Sequence, residues 1–153
     1  MPHPPQGNAA QLLMFVSGYV YRLLRHEARR AKVRWTALMV LKDLDLLGPS
    51  NQRTLAEIEQ IRAPTMTVLI QQMELRGWVR READAKDARS SLVRITPKGV
   101  KQLTSSGRML ERRLEAELID VPPKVLKALG DSLGSLSSAL IGKINAVEAA
   151  DRG

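Results

Sequence analysis

The sequence lacks several residue types on which common protein chemistries depend. It has no cysteine, two histidines and only 3% aromatic residues among its 153. Without cysteine, the chain can form no disulfide, has no thiolate metal site and has no cysteine nucleophile. The two histidines, one of them in a proline-rich start, leave no histidine pair for a metal and no convincing set of acid, base and nucleophile.

Two other features of enzymes are missing or weak. No glycine-rich loop of the kind that cradles phosphates is present. Asp84 and Asp87 could be interpreted as paired carboxylates, but a turn position favours turn formation and pairing with an arginine. We therefore expect no enzymatic activity, no cofactor and no metal site.

Long apolar runs are also absent. No stretch approaches the roughly 18 residues that a membrane span needs. The first residues lack the charged start and apolar core of a secretory signal. We expect a cytoplasmic protein with no membrane partner, and a hydrophobic content of 44% with 26% charged residues is ordinary for a folded domain.

Positive charge is abundant and local. The net charge is +8. Six basic residues face one acid between Arg22 and Arg34, and eight basic residues face three acids between Arg76 and Lys101. Clustered Lys and Arg favour a polyanionic partner because they displace the counterions condensed on nucleic acid, although basic runs can also be plain solvated surface.

Apolar residues recur at helical spacing at both ends of the chain. Residues 1–8 hold three prolines and a glycine and predict a flexible arm, after which an amphipathic helix runs from Ala9 to about Ala31. The last helix carries leucines at a spacing close to a heptad seam. They are Leu126, Leu129, Leu133, Leu136 and Leu140. Pairing between subunits through both helices, with Leu12 and Val16 on the first, is favoured over packing within one subunit.

The middle of the chain predicts three helices. One spans about Arg34 to Leu46; a short one starts at a Thr54–Glu57 capping box, and another opens with Pro64 and ends at Gly77. The third has an apolar inner side: Met66, Leu69, Ile70 and Met73. Its outward side holds Thr65, Thr67, Val68, Gln71 and Gln72. Hydroxyls and amides are unusual on a solvent-facing helix, where Glu and Lys are expected.

A hairpin and a long helix follow. Bulky and polar residues alternate from Trp78 to Glu82 and again from Ser91 to Thr96, on either side of a polar turn, which predicts a β-hairpin. A long helix then begins near Pro97 and breaks at Pro122. The predicted fold class is mainly α with a small β-hairpin wing (α+β).

Several motifs between Leu55 and Gly99 fall at a spacing shared with one known family. They are Leu55-Ala56-Glu57, Thr65-Met66-Thr67, Met73-Glu74-Leu75-Arg76-Gly77-Trp78-Val79, Asp87-x-Arg89, Ile95-Thr96 and Gly99. In these motifs the segment resembles the MarR family of winged helix-turn-helix transcriptional regulators. Two helices precede this segment and two follow it, so the architecture of nearly the whole chain matches.

The resemblance implies a homodimer that binds double-stranded DNA and regulates transcription. Repression is favoured over activation, since a dimer that occupies a promoter blocks polymerase without added contacts. It divides the chain into a flexible arm at 1–8, an N-terminal dimerisation helix at 9–33, a DNA-binding winged helix-turn-helix at 34–99 and C-terminal dimerisation helices at 100–150. Recognition helices would enter successive major grooves, and wings would reach the adjoining minor grooves.

Candidate DNA contacts follow from groove chemistry. Amide and hydroxyl side chains can meet base edges in the major groove, so we expect Thr65, Thr67, Gln71 and Gln72 to read sequence, with Val68 on the same face. A narrow minor groove attracts guanidinium. In the wing we therefore expect contacts from Arg89 and Lys86, with Asp87 bracing Arg89 as in the family. The candidates for contacts to the DNA backbone are Arg53, Arg62 and Arg80.

The chain departs from the family pattern at three places. Ala63 and Pro64 stand at the start of the recognition helix where a polar cap and basic residues are common, Val68 holds a position often occupied by Arg, and Ala88 replaces a common Arg. Target sequence and affinity therefore stay open. An alternative function is a dimeric protein-interaction adaptor that no longer binds DNA specifically.

A ligand cleft is a further implication of the resemblance, since family members often bind small aromatic acids between the dimerising helices and the winged domain. Tyr19, Arg22, His26 and Trp35 could line such a cleft, with Arg22 meeting a carboxylate. The simpler interpretation, core or interface aromatics and a surface histidine, is favoured. No effector can be named from these residues.

Overall fold

The computed structural model describes residues 7–84 and 91–150, with side chains as far as residue 140. Within these ranges six helices accompany a three-stranded antiparallel sheet of order β1-β3-β2. The helices are α1 (Ala9–Arg30), α2 (Trp35–Leu47), α3 (Gln52–Ile58), α4 (Ala63–Leu75), α5 (Pro97–Glu117) and α6 (Pro123–Ala150). The strands are β1 (Ser50–Asn51), β2 (Val79–Ala83) and β3 (Ser91–Ile95). The predicted fold class is confirmed.

The chain forms two compact units, Met1–Glu115 and Ala116–Gly153. The first contains α1 to α4, the sheet and most of α5, and the second contains α6. None of the described helices is both long enough and apolar enough to cross a membrane. The predicted flexible arm falls almost entirely on residues 1–6, outside the described residues.

The core of the first unit lies between α2, α3, α4 and the sheet. The four residues predicted on the inner side of α4, Met66, Leu69, Ile70 and Met73, are all buried. They pack with apolar residues from the neighbouring elements, which include Val40, Leu41, Leu44, Leu55 and Val93. Because burial fixes this face of α4, it also fixes which side chains point outward.

The helix α4 ends as its sequence predicts. Gly77 has φ 71°, a left-handed conformation that glycine adopts without a steric penalty. Its N–H donates to the Glu74 carbonyl at 2.8 Å, and the Trp78 N–H donates to the Met73 carbonyl at 2.9 Å. This paired pattern is the Schellman motif, and it turns Trp78 into the core.

The helices α1 and α3 end in the same motif without a glycine. Lys32, with φ 57°, follows α1, and Gln60, with φ 51°, follows α3. In each turn the next residue, Val33 or Ile61, packs against the core. Burial of that apolar residue sets the direction of the chain and holds a residue other than glycine in the left-handed region.

The start of α3 differs from the prediction. The helix begins at Gln52, and the cap is Asn51, whose side chain accepts a hydrogen bond from the Thr54 N–H at 2.8 Å. The prediction of a Thr54–Glu57 capping box was therefore wrong, because Asn51 caps this helix. The physical reason is that Ser50 and Asn51 form β1, a strand absent from the sequence prediction, which pairs with β3 and brings the extended chain directly to the helix start.

Candidate nucleic-acid interface

The outward side of α4 gathers the predicted base-reading residues. Thr65, Val68, Gln71 and Gln72 are exposed, and Thr67 is half-buried. Among them Val68 exposes 50% of its surface, a large fraction for an apolar side chain in a helix whose other face is packed. The structure thus brings all five predicted residues onto one helix, opposite the core.

Two of these residues are held by partners that sequence reasoning missed. The Thr67 hydroxyl donates to the Ala63 carbonyl at 3.0 Å and accepts a hydrogen bond from the Gln52 amide. Arg34, at the start of α2, donates from Nη1 to Oε1 of Gln72 at 2.9 Å. No local pattern could reveal the second contact, because 38 residues separate its partners.

The helices α3 and α4 form the helix-turn-helix, and the strands β2 and β3 form the wing. Arg81 on β2 connects the two. Its Nε donates to Glu74 of α4 at 3.1 Å, and its Nη2 donates to Gln52 of α3 at 3.1 Å. One guanidinium therefore joins a strand to two helices. Glu74 and Gln52 were not among the predicted site residues, since each is polar in a position that looks like ordinary surface.

The base of the wing is fixed where β3 runs into α5. The Thr96 hydroxyl lies 2.6 Å from the Gly77 carbonyl and accepts a hydrogen bond from the Gly99 N–H at 3.0 Å. A Cβ on Gly99 would meet the Trp78 carbonyl oxygen at 2.1 Å, closer than atoms can approach. Only glycine fits there, which gives a physical reason for this part of the family motif.

The wing strands carry an arginine-rich cluster around one carboxylate. Glu82 on β2 accepts from Arg94 on β3 at 2.7 Å and lies 3.5 Å from Arg80, one of the predicted backbone contacts. Arg94, chiefly through its hydrogen bond, lowers the pKa of Glu82, and the same contact raises the pKa of Arg94. The cluster keeps one net positive charge. Lys86, Asp87 and Arg89 lie outside the described residues.

The other predicted backbone contacts lie on the surface. Arg53 pairs with Glu57 at 3.0 Å, and both side chains are mostly exposed. Such a pair is worth little in water, so the guanidinium can exchange its partner for a phosphate at small cost. Arg62 is exposed immediately before α4, where its backbone caps the helix without a side-chain hydrogen bond.

A pair of carboxyl groups lies behind the helix-turn-helix and was not predicted. Glu59, the residue that caps the end of α3, interacts with Asp43 of α2, whose buried Oδ2 has no hydrogen-bond donor within the described chain. Burial, then the interaction with the Asp43 carboxyl group and its charge, raise the pKa of Glu59 to about 7. Burial likewise raises the pKa of Asp43. Nowhere in the described chain do three or more acidic or histidine side chains group as metal ligands would.

A cleft of about 700 Å³ opens where α1 meets α2. Three of the four residues proposed for a ligand cleft, Arg22, His26 and Trp35, line it, whereas Tyr19 is not among the lining residues. The Trp35 ring meets Tyr21 edge-on, with 5.6 Å between ring centroids. The remaining lining residues include four cations that sequence reasoning left out of the cleft: Arg25, Arg29, Lys32 and Arg34.

Apolar side chains are exposed on both terminal helices. On α1, Leu12 and Val16 expose 39% and 52% of their surface. On α6, four of the five predicted seam residues are exposed, Leu129, Leu133, Leu136 and Leu140, and Leu126 is half-buried. Each unit by itself therefore leaves an apolar helical face in solvent.

A helix-turn-helix whose second helix presents a polar face beside a basic two-stranded wing defines a winged-helix protein. The model of the MarR family matches residues 33–91. Over this segment the chain is similar to the MarR family, in agreement with the resemblance in its sequence.

Individual proteins show the same similarity. The Bacillus subtilis (strain 168) HTH-type transcriptional regulator YxaD is 26% identical over 131 residues, covering 86% of this chain and 91% of its own. Wild-type apo MarR from E. coli has the same fold, with a TM-score of 0.76 at 17% identity over 87% of this chain and 98% of its own. A mutant of S. aureus MepR bound to an oligodeoxyribonucleotide has a TM-score of 0.60 at 16% identity, covering 88% and 99%.

Proposed function

We propose that this protein is a transcriptional regulator of the MarR family, that it binds double-stranded DNA as a homodimer and that it acts as a repressor. The observation that carries the proposal is the outward face of α4, where hydroxyl and amide side chains stand opposite a fully buried apolar face. Major-groove base edges offer the donors and acceptors that such side chains recognise. The fold shared with a MepR mutant that was solved with an oligodeoxyribonucleotide supports binding to DNA.

The roles divide between reading and anchoring. Thr65, Gln71 and Gln72 meet base edges, whereas Thr67 contributes by holding α4 to α3 through Gln52. A second group supplies positive charge to phosphates and to the minor groove. It comprises Arg53, Arg62, Arg80, Lys86 and Arg89, with Asp87 bracing Arg89. Val68 is available for an apolar contact, such as that with a thymine methyl group.

Dimerisation would cover the exposed apolar faces of α1 and α6. A symmetric dimer presents the same face twice, so two recognition helices can address one two-fold-symmetric site. A dimer seated on a promoter blocks polymerase without further contacts, which favours repression over activation. A small acidic molecule in the cleft that Arg22, His26 and Trp35 line would act as the effector that releases the protein from DNA.

Selection of bound duplexes from random DNA tests the proposal. We expect a two-fold-symmetric site with half-sites about 10 base pairs apart, one helical turn.

Two variants separate base reading from phosphate contact. Gln71→Ala should cost about 1–3 kcal/mol of binding free energy at one base-pair position and relax the sequence preference there. Arg62→Gln should instead weaken binding to all sequences alike and reduce the salt dependence by about one phosphate contact.

The same experiment separates the adaptor alternative. An adaptor would show no enriched sequence and would bind its own upstream DNA no better than random DNA at about 0.1 M salt, a concentration at which screening is already substantial. Sedimentation of the free protein provides the check on the dimer. A monomer across the concentrations that bind DNA would contradict the two-fold docking.

A further inference from the structure

The cleft between α1 and α2 concentrates positive charge without neutralising it. Five basic side chains line it, Arg22, Arg25, Arg29, Lys32 and Arg34, and none of its described lining residues is acidic. Glu27, the only acid between residues 22 and 34, lies 3.9 Å from Arg30 and 3.8 Å from Arg113, and neither arginine lines the cleft. A concave site lined by one sign of charge focuses the field and concentrates counter-ions.

The wall formed by α2 adds to this field and gives it shape. Trp35 and Thr36, the first two residues of α2, line the cleft, and no side chain caps that helix start. The N–H groups of a first helical turn have no partner within the helix and add partial positive charge. The half-buried Trp35 ring, held edge-on by Tyr21, supplies a flat apolar surface beside the cations.

Arg34 connects the cleft with the recognition helix. It lines the cleft and also donates to Oε1 of Gln72 on α4 at 2.9 Å. A guanidinium bonds a phosphate through two charge-assisted hydrogen bonds, which are stronger than one bond to a neutral amide oxygen. A phosphate in the cleft therefore competes with Gln72 for this side chain.

We propose that the cleft binds a small organic molecule carrying at least two phosphate groups, and that its binding draws Arg34 away from Gln72. A single carboxylate would offset one of five charges, whereas each phosphate carries about 1.5–2 negative charges near neutral pH. The inference deepens the proposed function, because loss of the Arg34 contact frees Gln72 and alters the surface that reads DNA. The anion site itself does not depend on DNA binding.

Calorimetric titration of the full chain without DNA tests the site. At about 50 mM salt, where screening is weak, pyrophosphate and ADP should bind at least about tenfold more tightly than benzoate, a single carboxylate. Arg29→Gln should weaken pyrophosphate binding by about fivefold or more. Arg108→Gln is the matched control, because it removes the same charge from an exposed position of α5 outside the cleft. Equal binding of benzoate, or equal weakening by both variants, would overturn the proposal.

Side-chain amide resonances in nitrogen-edited NMR spectra test the coupling, again without DNA. The Gln72 signal is assigned by its loss in Gln72→Ala. Pyrophosphate should shift this signal in the wild type and in Arg108→Gln but leave it unmoved in Arg34→Ala. Binding of pyrophosphate that leaves the wild-type Gln72 signal in place would refute the coupling, whatever the protein does with DNA.

Phosphates of the DNA backbone carry the same chemistry, and the salt dependence of DNA binding distinguishes that source. A small-molecule site predicts the same slope for Arg29→Gln as for the wild type. A slope reduced by about one would assign the cleft to the DNA backbone and overturn the small-molecule source. A protein that binds pyrophosphate in the cleft but no DNA would refute the proposed function while supporting the anion site.

Discussion

The turn after α4 and the turn after α1 share one hydrogen-bond pattern and differ in the residue at the left-handed position. Gly77 meets the demand of the backbone, whereas Lys32 adopts φ 57° in a region that costs a residue with a Cβ about 1–2 kcal/mol. Lys32 lines the cationic cleft and Gly77 supports the wing. In the turn after α4 a glycine adopts the left-handed conformation without strain. In the turn after α1 a lysine adopts it at a cost in free energy and adds a positive charge to the cleft.

The largest expected change in stability comes from a substitution at the base of the wing, next to the turn after α4. Gly99→Ala would place a Cβ 2.1 Å from the carbonyl oxygen of Trp78, the residue that follows the α4 turn, and backbone cannot easily yield there. We expect a loss of about 3 kcal/mol in the free energy of unfolding, measured by denaturant titration followed by circular dichroism.

Gly107→Ala in the same helix is the matched control for Gly99→Ala. Apart from its chain neighbours and the backbone of its own helix, no atom of the described chain lies within 4 Å of the position of its Cβ, so this change should stabilise α5 by about 0.5–1 kcal/mol. Similar effects of the two substitutions would show that Gly99 is not in tight contact with the Trp78 carbonyl oxygen.

Smaller changes in stability are expected from substitutions at the left-handed positions of the three turns. Lys32→Gly and Gln60→Gly should each raise the free energy of unfolding by up to about 1 kcal/mol, because glycine relieves left-handed strain but has more entropy to lose. Gly77→Ala should lower it by about 1 kcal/mol. Thermal unfolding of the three variants gives the order directly.

Gln60→Gly also separates stability from charge in the cleft. Both glycine variants relieve the same strain, but only Lys32→Gly removes a cation that lines the cleft. Pyrophosphate binding should therefore weaken in Lys32→Gly and stay at the wild-type level in Gln60→Gly. Equal affinities would mean that Lys32 contributes nothing to the site.

The smallest effect concerns pH at the third turn, where Glu59 precedes Gln60. The pKa of Glu59 is raised to about 7, so the folded chain holds this proton more tightly than the unfolded chain does. Stability from this group is thus present at low pH and is lost as pH rises through about 4.5 to 7. Glu59→Gln should raise the melting temperature by a few degrees at pH 8 and by less at pH 5.

The control for Glu59→Gln is Glu57→Gln, which removes an exposed carboxylate from the same helix. Its effect on the melting temperature should lack the rise between pH 5 and pH 8. A gain from Glu59→Gln that is constant over this range would show that the carboxyl pair does not control the pH dependence.

Much of the candidate interface was predictable because it depends on the spacing of residues that are close in sequence. Apolar residues at helical intervals identified the buried side of α4, and the outward residues followed by geometry. The wing contacts of Arg81 were not predictable, since its partners Glu74 and Gln52 lie seven and 29 residues away and look like ordinary surface. The lining of the cleft between α1 and α2 was predicted only in part, because the sequence identified Arg22, His26 and Trp35 without the neighbouring cations.

The sequence by itself determined where helices form, which of their faces are apolar, and that Pro64 lies in the first turn of α4 and Gly77 just after its end. These features depend on residues within one or two helical turns. Tertiary structure decided the start of α3 at Asn51, the left-handed Lys32 and Gln60, and the contact between Arg34 and Gln72. Each of these depends on strand pairing, burial or contact between segments distant in sequence, and such free energies exist only once the chain has folded.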